Sequence, residues 1–357
     1  MAARSLGALL ATTEADIAWL TGFRTEFFAS PTRPWFVVLP VEGSPIAVIP
    51  AIGEPLMRRS GVADIRTWPS PRPADEGVSL LRETLEEVVG PGGPVALPMR
   101  PGTTLGMALG DWLSLRDTFD WRDDGGILRD ARMIKDEAEI AGIRDACRLA
   151  ERAFARLPQR VHAGIGLDEA FRRFRILLLE EGADRVGYLA GAAGQGGYED
   201  VISPATDAPL RDGDVLMLDT GAVRNGWFCD FDRNFAVARA DDAVRDAHRR
   251  LVEAVHAAAA VARPGVRARD VHDAMEAVCG PSFGGRLGHG LGLQLTEPPS
   301  LSALDETVLR EGMVLTFEPV VSLARGRIMV HEENVVLRAG GIEWLTGPPA
   351  AEIEVIA

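Results

Sequence analysis

Residues 215–236 read VLMLDTGAVRNGWFCDFDRNFA, and this stretch decides the fold of the second half of the chain. Four apolar residues lead to Asp219, and the segment from Trp227 alternates aromatic and polar residues around Asp230. Such alternation is typical of strands, and residues 222–226 can form a turn between two of them. The pattern therefore predicts a β-hairpin that brings the two aspartates to one place. Two buried carboxylates this close repel each other, so a cation or a shared proton is required.

Three motifs further along the chain place one imidazole and two more acids in apolar surroundings. The run GHGLG sets His289 between glycines, which leave its ring open to a pocket. The run GMVLTFE predicts an apolar strand that ends on Glu318. Residues 327–337 predict one strand that holds Glu332 inside an apolar run, where an acid is costly unless it is paired or metal-bound.

Each of these motifs is weak alone, but together they supply four carboxylates and one histidine. That set suits two divalent ions such as Mn, Fe, Co or Zn. Paired metal ions can activate a water molecule and polarise a carbonyl group. The sequence therefore predicts a hydrolase-type metal site formed by Asp219, Asp230, His289, Glu318 and Glu332.

The remainder of the sequence indicates a two-domain chain. Its 357 residues suffice for two domains at roughly 100–200 residues each. Residues 35–40 and 45–50 are predicted to be buried strands and residues 78–89 a helix, which is an α/β pattern. We expect a smaller α/β domain over residues 1–127 and a metal-binding catalytic domain over residues 128–357.

Composition excludes several kinds of function. The net charge of -14 argues against a nucleic-acid partner, because phosphate backbones require clustered basic residues. The short apolar run at the N-terminus is too brief for a membrane span. Three scattered cysteines favour neither a disulfide framework nor a zinc knuckle, so a reducing, cytoplasmic location is the expectation.

The order and spacing of the five metal motifs resemble those of the pita-bread-fold metallopeptidases: methionine aminopeptidase, aminopeptidase P, prolidase and creatinase. The resemblance covers about residues 130–345, and the run IAWLTGF at residues 17–23 resembles the N-terminal domain of the aminopeptidase P, prolidase and creatinase branch. It implies an α+β fold in which a creatinase-type α/β domain precedes a C-terminal pita-bread domain. It also implies two divalent metal ions, a homodimer, and a small peptide or small-molecule substrate.

The chain departs from this family pattern at two positions that handle the peptide. The family has a histidine shortly before the first aspartate ligand, where this chain has the stretch around Ser203. It has another histidine seven residues after the ligand histidine, where this chain has Thr296, followed by Glu297. The resemblance implies that Glu318 relays the proton of the attacking water. It leaves Thr296 and Glu297 as further catalytic candidates, at and beside an altered position.

Three functions remain open on this reading. The first is a metal-dependent hydrolase acting on an Xaa-Pro peptide or a small amide. The second is another small-molecule enzyme on the same site, such as a dimethylsulfoniopropionate-lyase-like or ectoine-hydrolase-like protein. Its general base would come from candidates chosen by position, namely Tyr198, Glu199, Asp207, Thr296 and Glu297. The third is a metal-binding pseudoenzyme, which is disfavoured because a binding module has no need of a buried acidic cluster.

Overall fold

The computed structural model describes residues 1–281 and 285–357. Its contacts divide the chain into two units, Met1–Arg132 and Met133–Ala357. The expected domains, with a boundary between residues 127 and 128, stay a prediction. Within the described residues, no helix combines the length and the apolarity needed to cross a membrane.

A mixed six-stranded sheet forms the centre of the first unit. Its strands are β1 (Ala8–Ala11), β2 (Phe36–Pro40), β3 (Ile46–Pro50), β4 (Asp64–Trp68), β5 (Pro94–Leu97) and β6 (Asp120–Asp123). They lie in the order β4-β3-β2-β1-β5-β6. β1 pairs antiparallel with β2 and parallel with β5, so the sheet combines a hairpin-like centre with parallel edges.

Both faces of this sheet are buried, which explains its continuous apolar runs. Leu9 and Val37 lie in one core, whereas their neighbours Leu10 and Val38 lie in the other. Helices accompany the sheet: α1 (Glu14–Thr21), α2 (Glu54–Arg59), α3 (Val78–Val89), α4 (Leu109–Leu115) and α5 (Ile127–Met133). The strands and the helix predicted for this region are confirmed by β2, β3 and α3.

Two sheets and a two-stranded ribbon form the second unit. Its strands are β7 (Arg185–Gln195), β8 (Asp214–Arg224), β9 (Trp227–Phe228), β10 (Phe231–Val237), β11 (His289–Gly290), β12 (Glu297–Ser300), β13 (Val314–Phe317), β14 (Val320–Ser322), β15 (Ile328–Val330), β16 (Glu333–Arg338), β17 (Gly341–Trp344) and β18 (Glu354–Ile356). One sheet has the order β18-β10-β8-β7, with β9 paired to β8. The other has the order β12-β11-β13-β16-β17, and β14 pairs with β15.

Four long helices complete the second unit: α6 (Glu137–Arg156), α7 (Leu167–Glu180), α8 (Asp242–Val261) and α9 (Ala268–Cys279). Apolar residues of α6 and α7 pack into one core, and those of α8 and α9 pack into another. Asp136 begins α6 with a capping box, because its side chain accepts from the N–H of Glu139 while the Glu139 carboxylate accepts from the N–H of Asp136.

The hairpin of residues 215–236 is also present, and its turn is short. Arg224 pairs with Trp227, so Asn225 and Gly226 form a two-residue turn. Both have positive φ values, 51° and 79°, as a type I′ turn requires.

Glycines recur at positions 187, 191, 194, 196 and 197, a composition typical of a loop, yet residues 185–195 form the eleven-residue strand β7. A Cβ atom at Gly191 would lie 2.2 Å from the carbonyl oxygen of Met217, so glycine permits close pairing with β8.

Candidate metal centre

Both aspartates lie on or next to the strands of this hairpin. Asp219 lies on β8 opposite Asp232 on β10 and opposite Ala190 on β7. Asp230 precedes β10, and its backbone N–H donates to Oδ1 of Asn334 over 3.0 Å. The Asn334 side-chain amide donates in return to the Asp230 carbonyl, so this residue is held from both sides.

His289 is fixed by its own loop with one ring nitrogen free to face the acids. Gly288 has φ of 138°, and a Cβ there would lie 2.2 Å from the Thr316 carbonyl oxygen. The His289 N–H donates to Oγ1 of Thr316, and its Nδ1 lies 2.8 Å from the Gly290 carbonyl oxygen. Since that carbonyl accepts, Nδ1 carries the proton and Nε2 is left as an acceptor.

That Nε2 atom lies 3.3 Å from Oδ2 of Asp230, with both side chains buried. Ligand atoms of Asp230, His289 and Glu332 all lie within 4.8 Å of one another. Three acceptors this close have no proton to share between them when both acids are ionised, so their arrangement fits a cation.

Glu318 and Glu332 come from the second sheet. Glu318 follows β13, and its N–H donates to the Leu287 carbonyl over 2.9 Å. Glu332 lies in the gap between β15 and β16. The single strand predicted over residues 327–337 is therefore wrong. Its first half pairs with β14 and its second half with β13, and the break between them directs Glu332 to the cluster.

Burial and mutual repulsion hold protons on these acids when no cation is present. Burial and then the charge of Glu318 raise the pKa of Asp219 to about 7. Burial raises the pKa of Glu318 to about 7, against an opposing effect from Arg286. Burial and then neighbouring carboxylates raise the pKa values of Asp230 and Glu332 well above their usual range. Burial lowers the pKa of His289 to about 4, so its ring is neutral at pH 7.

Unpaired atoms inside the cluster provide the test of whether a metal ion fits. Oδ1 of Asp219 and Oε1 of Glu332 are buried and have no hydrogen-bond partner among the described residues. Buried carboxylate oxygens are rarely left without a partner. The unpaired oxygens and the neutral imidazole form the mixed O and N donor set that Zn, Mn, Fe or Co accept.

Tyr188 and Arg286 also reach this cluster, although the sequence offered no pattern that marked either. The Tyr188 hydroxyl donates to the Asp219 carboxylate, and the nearby acids together with burial raise the pKa of this tyrosine. Tyr188 lies among glycines, and that composition is typical of a loop. Its place on the strand β7 could therefore not be recognised from the sequence. Arg286 is exposed, yet its charge lowers the pKa of Asp230 and of His289.

A cavity of about 510 Å³ lies beside β7, whose Ala190 pairs with Asp219 of β8. Tyr188, Leu189 and Ala190 of β7 form one wall, and Ile202, Ser203, Pro204 and Ala205 form another. The stretch around Ser203, where the chain departs from the family pattern, therefore lines the cavity. Phe171, Arg172 and Arg175 of α7 and the neighbouring Asp168 complete the lining.

Three of the remaining candidates, Glu297, Thr296 and Tyr198, have structural partners. Oε2 of Glu297 lies 3.0 Å from Nζ of Lys135 in a buried ion pair, so Glu297 has a structural role. A catalytic role for Glu297 stays a prediction. Thr296 is exposed, and its Oγ1 accepts from Arg286 over 3.3 Å. Tyr198 is buried, and its hydroxyl bonds to Asn234 and to the N–H of Val330, which leaves it poorly placed to act as a base.

Comparisons with known proteins agree on one family. Residues 141–339 match Metallopeptidase family M24. The Xaa-Pro dipeptidase of Pyrococcus horikoshii is 29% identical over 227 residues, an alignment that covers 62% of this chain and 64% of that protein. The probable dipeptidase PepE of Mycobacterium tuberculosis is 28% identical over 345 residues, covering 93% of this chain and 87% of that protein.

The whole fold also matches solved structures. A prolidase from Thermococcus sibiricus superposes with a TM-score of 0.87 at 23% identity, covering 99% of this chain and 96% of that one. The expected α+β architecture with an N-terminal α/β domain and a pita-bread domain is confirmed at the level of fold.

Proposed function

Because the chain belongs to metallopeptidase family M24, we propose that it is a metal-dependent hydrolase that cleaves an Xaa-Pro peptide or a small amide. One observation carries the proposal: acids and an imidazole from two sheets meet in a buried cluster whose inward oxygens have no partner among the described residues. The names of the similar proteins support an Xaa-Pro dipeptide as the first substrate to test.

We propose two divalent ions, with Mn, Fe, Co or Zn as candidates. Asp219, Asp230, His289, Glu318 and Glu332 would hold them. When bound, the ions supply an activated water molecule and polarise the substrate carbonyl. The Tyr188 hydroxyl orients the Asp219 carboxylate, as residues around metal ligands commonly do.

Glu318 is the group we propose for proton transfer. Its side chain is partly exposed, unlike those of Asp230 and Glu332. A carboxylate at the edge of the proposed metal site can take a proton from water and return it to the departing nitrogen. The cavity beside β7, with apolar Ile202 and Phe171 and basic Arg175 in its lining, is the proposed substrate site.

A substrate panel with product analysis tests this proposal. Metal-loaded protein should hydrolyse at least one Xaa-Pro dipeptide or small amide, and water should be incorporated into the products. Asp219→Asn should abolish turnover. Asp214→Asn, which removes an acid from the other end of the same strand, should retain it. An alkene product without water uptake would point to elimination, and metal binding without any turnover would point to a pseudoenzyme; either would contradict the proposal.

We propose a homodimer from the family resemblance and a cytoplasmic location from the three scattered cysteines. Light scattering coupled to size-exclusion chromatography should give a mass close to twice the 38.4 kDa of the chain. A mass of one chain at micromolar concentration would contradict the dimer.

A further inference from the structure

One wall of the cavity beside β7 lies next to a proposed metal ligand. Tyr188 and Ala190 are two residues apart on β7, so their side chains lie on the same face of the sheet. Ala190 pairs directly with Asp219 of β8, and the Cβ atoms of such a pair lie about 4.5–5.5 Å apart on that face. Since Tyr188 and Ala190 both line the cavity, a molecule bound against them lies close to Asp219.

Two arginines of α7 line the same cavity. Arg172 and Arg175 are three residues apart on the helix, so they are neighbours on its surface, and both are exposed. Two like charges at this spacing repel each other and destabilise a helix slightly. An anion bound between the two guanidinium groups would offset that repulsion.

The described part of the chain leaves this pair of charges largely unneutralised. Arg175 has neither an ion pair nor a hydrogen bond among the described residues. Nη1 of Arg172 lies 3.5 Å from Oε2 of Glu169, an acid that also binds Arg173 over 2.8 Å. The cavity lining holds one acid, Asp168, whose Oδ1 accepts from the N–H of Glu169. In a chain with a net charge of -14, the lining of this cavity is therefore basic.

The loop of residues 200–205 adds an apolar wall to the cavity. The Asp200 carboxylate accepts from the N–H groups of Ile202 and Ser203 over 3.0 and 2.7 Å, and the Ser203 hydroxyl donates to it over 2.9 Å. These bonds fix the loop while the Ile202 side chain stays 82% exposed. Pro204 and Ala205 extend the apolar surface. A mostly apolar lining with a few charged groups is typical of a site that orients a small ligand.

We propose that Arg175, with Arg172 beside it, binds a carboxylate of the substrate, so that the cavity selects anionic over neutral peptides. This inference rests on the proposed hydrolase function and names its substrate class. The planar fork of a guanidinium group matches a carboxylate with two parallel hydrogen bonds. The apolar wall contacts the hydrocarbon part of the same ligand. The carboxylate is either the C-terminus of a dipeptide or an acidic side chain next to the scissile bond.

Kinetics with charged and neutral peptides test this inference. The metal-loaded parent should have a lower KM for Ala-Pro than for Ala-Pro amide. Arg175→Gln should raise the KM of a carboxylate substrate roughly tenfold, because a hydrogen bond to a charged group is lost, with a much smaller change in kcat. Arg175→Lys should have an intermediate effect, because the charge stays and the planar fork is lost. Arg148→Gln removes an exposed arginine of α6 that does not line the cavity, and this matched control should leave KM unchanged.

A third peptide identifies which carboxylate is bound. Ala-Pro carries its acid at the C-terminus, whereas Glu-Pro amide carries it on the first side chain. A rise in KM for Ala-Pro alone would assign the C-terminal carboxylate to Arg175, and a rise for Glu-Pro amide alone would assign the side chain. If Arg175→Gln changed the KM of charged and neutral peptides equally, or changed neither, the inference would be overturned.

A binding measurement tests the inference independently of turnover. The probes are reduced Ala-Pro and reduced Glu-Pro amide, in which a methylene group replaces the scissile carbonyl, together with reduced Ala-Pro amide as the neutral reference. Each is titrated calorimetrically into metal-loaded protein. Arg175→Gln should raise the Kd of one of the two acidic probes roughly tenfold relative to that of the neutral reference, and Arg148→Gln should not. Equal affinities of parent and Arg175→Gln for all three probes would contradict the inference. If the parent hydrolyses no peptide, the proposed function fails, and these affinities still decide whether Arg175 binds a carboxylate.

Discussion

Glu332 and Glu333 are neighbours in sequence and equally buried, yet their surroundings are opposite. Adjacent residues of an extended chain point to opposite sides. Glu332 meets other acids, and its Oε1 has no partner within the described part of the chain. Glu333 lies 3.0 Å from both Arg233 and His331.

The pKa shifts follow this difference. Burial and the charge of Asp230 raise the pKa of Glu332. Burial also opposes ionisation of Glu333, but the charge of Arg233 and the bond to His331 outweigh it, and the pKa of Glu333 falls below its usual value. Among the described residues, Arg233 is a cationic partner for Glu333, whereas Oε1 of Glu332 has no partner. The comparison indicates that Glu332 is placed to bind a metal ion, whereas Glu333 stabilises the fold.

Removing the charge of Glu332 should have the largest effect on function. Glu332→Gln should weaken metal binding by more than about a hundredfold, since even residues that only orient ligands contribute 10- to 100-fold. Activity should be lost with the metal. The metal-free variant should melt at a higher temperature than the metal-free parent, because one repulsive acid is gone. Calorimetric metal titration and thermal unfolding in a chelator measure both; a metal-free variant that melts lower would contradict the account.

Removing the charge of Glu333 should instead reduce stability. Glu333→Gln leaves Arg233 and His331 without their acid, and breaking a buried pair costs several kcal/mol. Arg233 keeps some exposure, so we expect a loss of about 2–3 kcal/mol in the free energy of unfolding. Urea unfolding of the metal-free proteins measures it. If the variant were as stable as the parent but had lost its metal affinity, Glu333 would be the metal-binding acid, which would contradict the account.

The third and smallest expected effect is a change of stability with pH. It tests the repulsion among the acids of the cluster. The folded protein raises the pKa of Asp219 to about 7, so this group contributes stability below the pKa of the unfolded chain and loses that contribution as pH rises through 7. The melting temperature of the metal-free parent should therefore fall between pH 5 and pH 8 relative to that of Asp219→Asn, by roughly several degrees. Saturating metal should abolish this difference in slope. If the melting temperatures of the two metal-free proteins changed with pH in parallel, Asp219 would not be repelled by the neighbouring acids.

The sequence predicted the metal cluster because its members share a local signature. Asp219 and Glu318 each follow an apolar run that reads as a strand, and glycines around His289 mark a close approach. Acids next to apolar runs are conspicuous in a sequence, so five ligand candidates could be named without coordinates, although Asp219 lies inside β8 and not at its end. The stretch of residues 327–337 misled for the same reason, because an unbroken apolar pattern does not reveal that its halves pair with different strands.

The residues that surround the cluster could not be predicted, because their places depend on tertiary packing. Tyr188 lies among glycines that resemble a loop until β7 pairs with β8. Arg286 has no periodic context and lies outside the motifs that the sequence analysis singles out. The buried partner of Glu297 is Lys135, 162 residues away in sequence, and no local pattern links them.

Metal stoichiometry tests the central claim most directly. Chelated protein titrated with Mn²⁺ or Co²⁺ at pH 7.5 in a calorimeter should bind two ions per chain, and Asp219→Asn should lose at least one of them while Asp214→Asn retains both. Binding of no ions by correctly folded protein, or equal binding by both variants, would contradict the claim that this acidic cluster exists to hold metal.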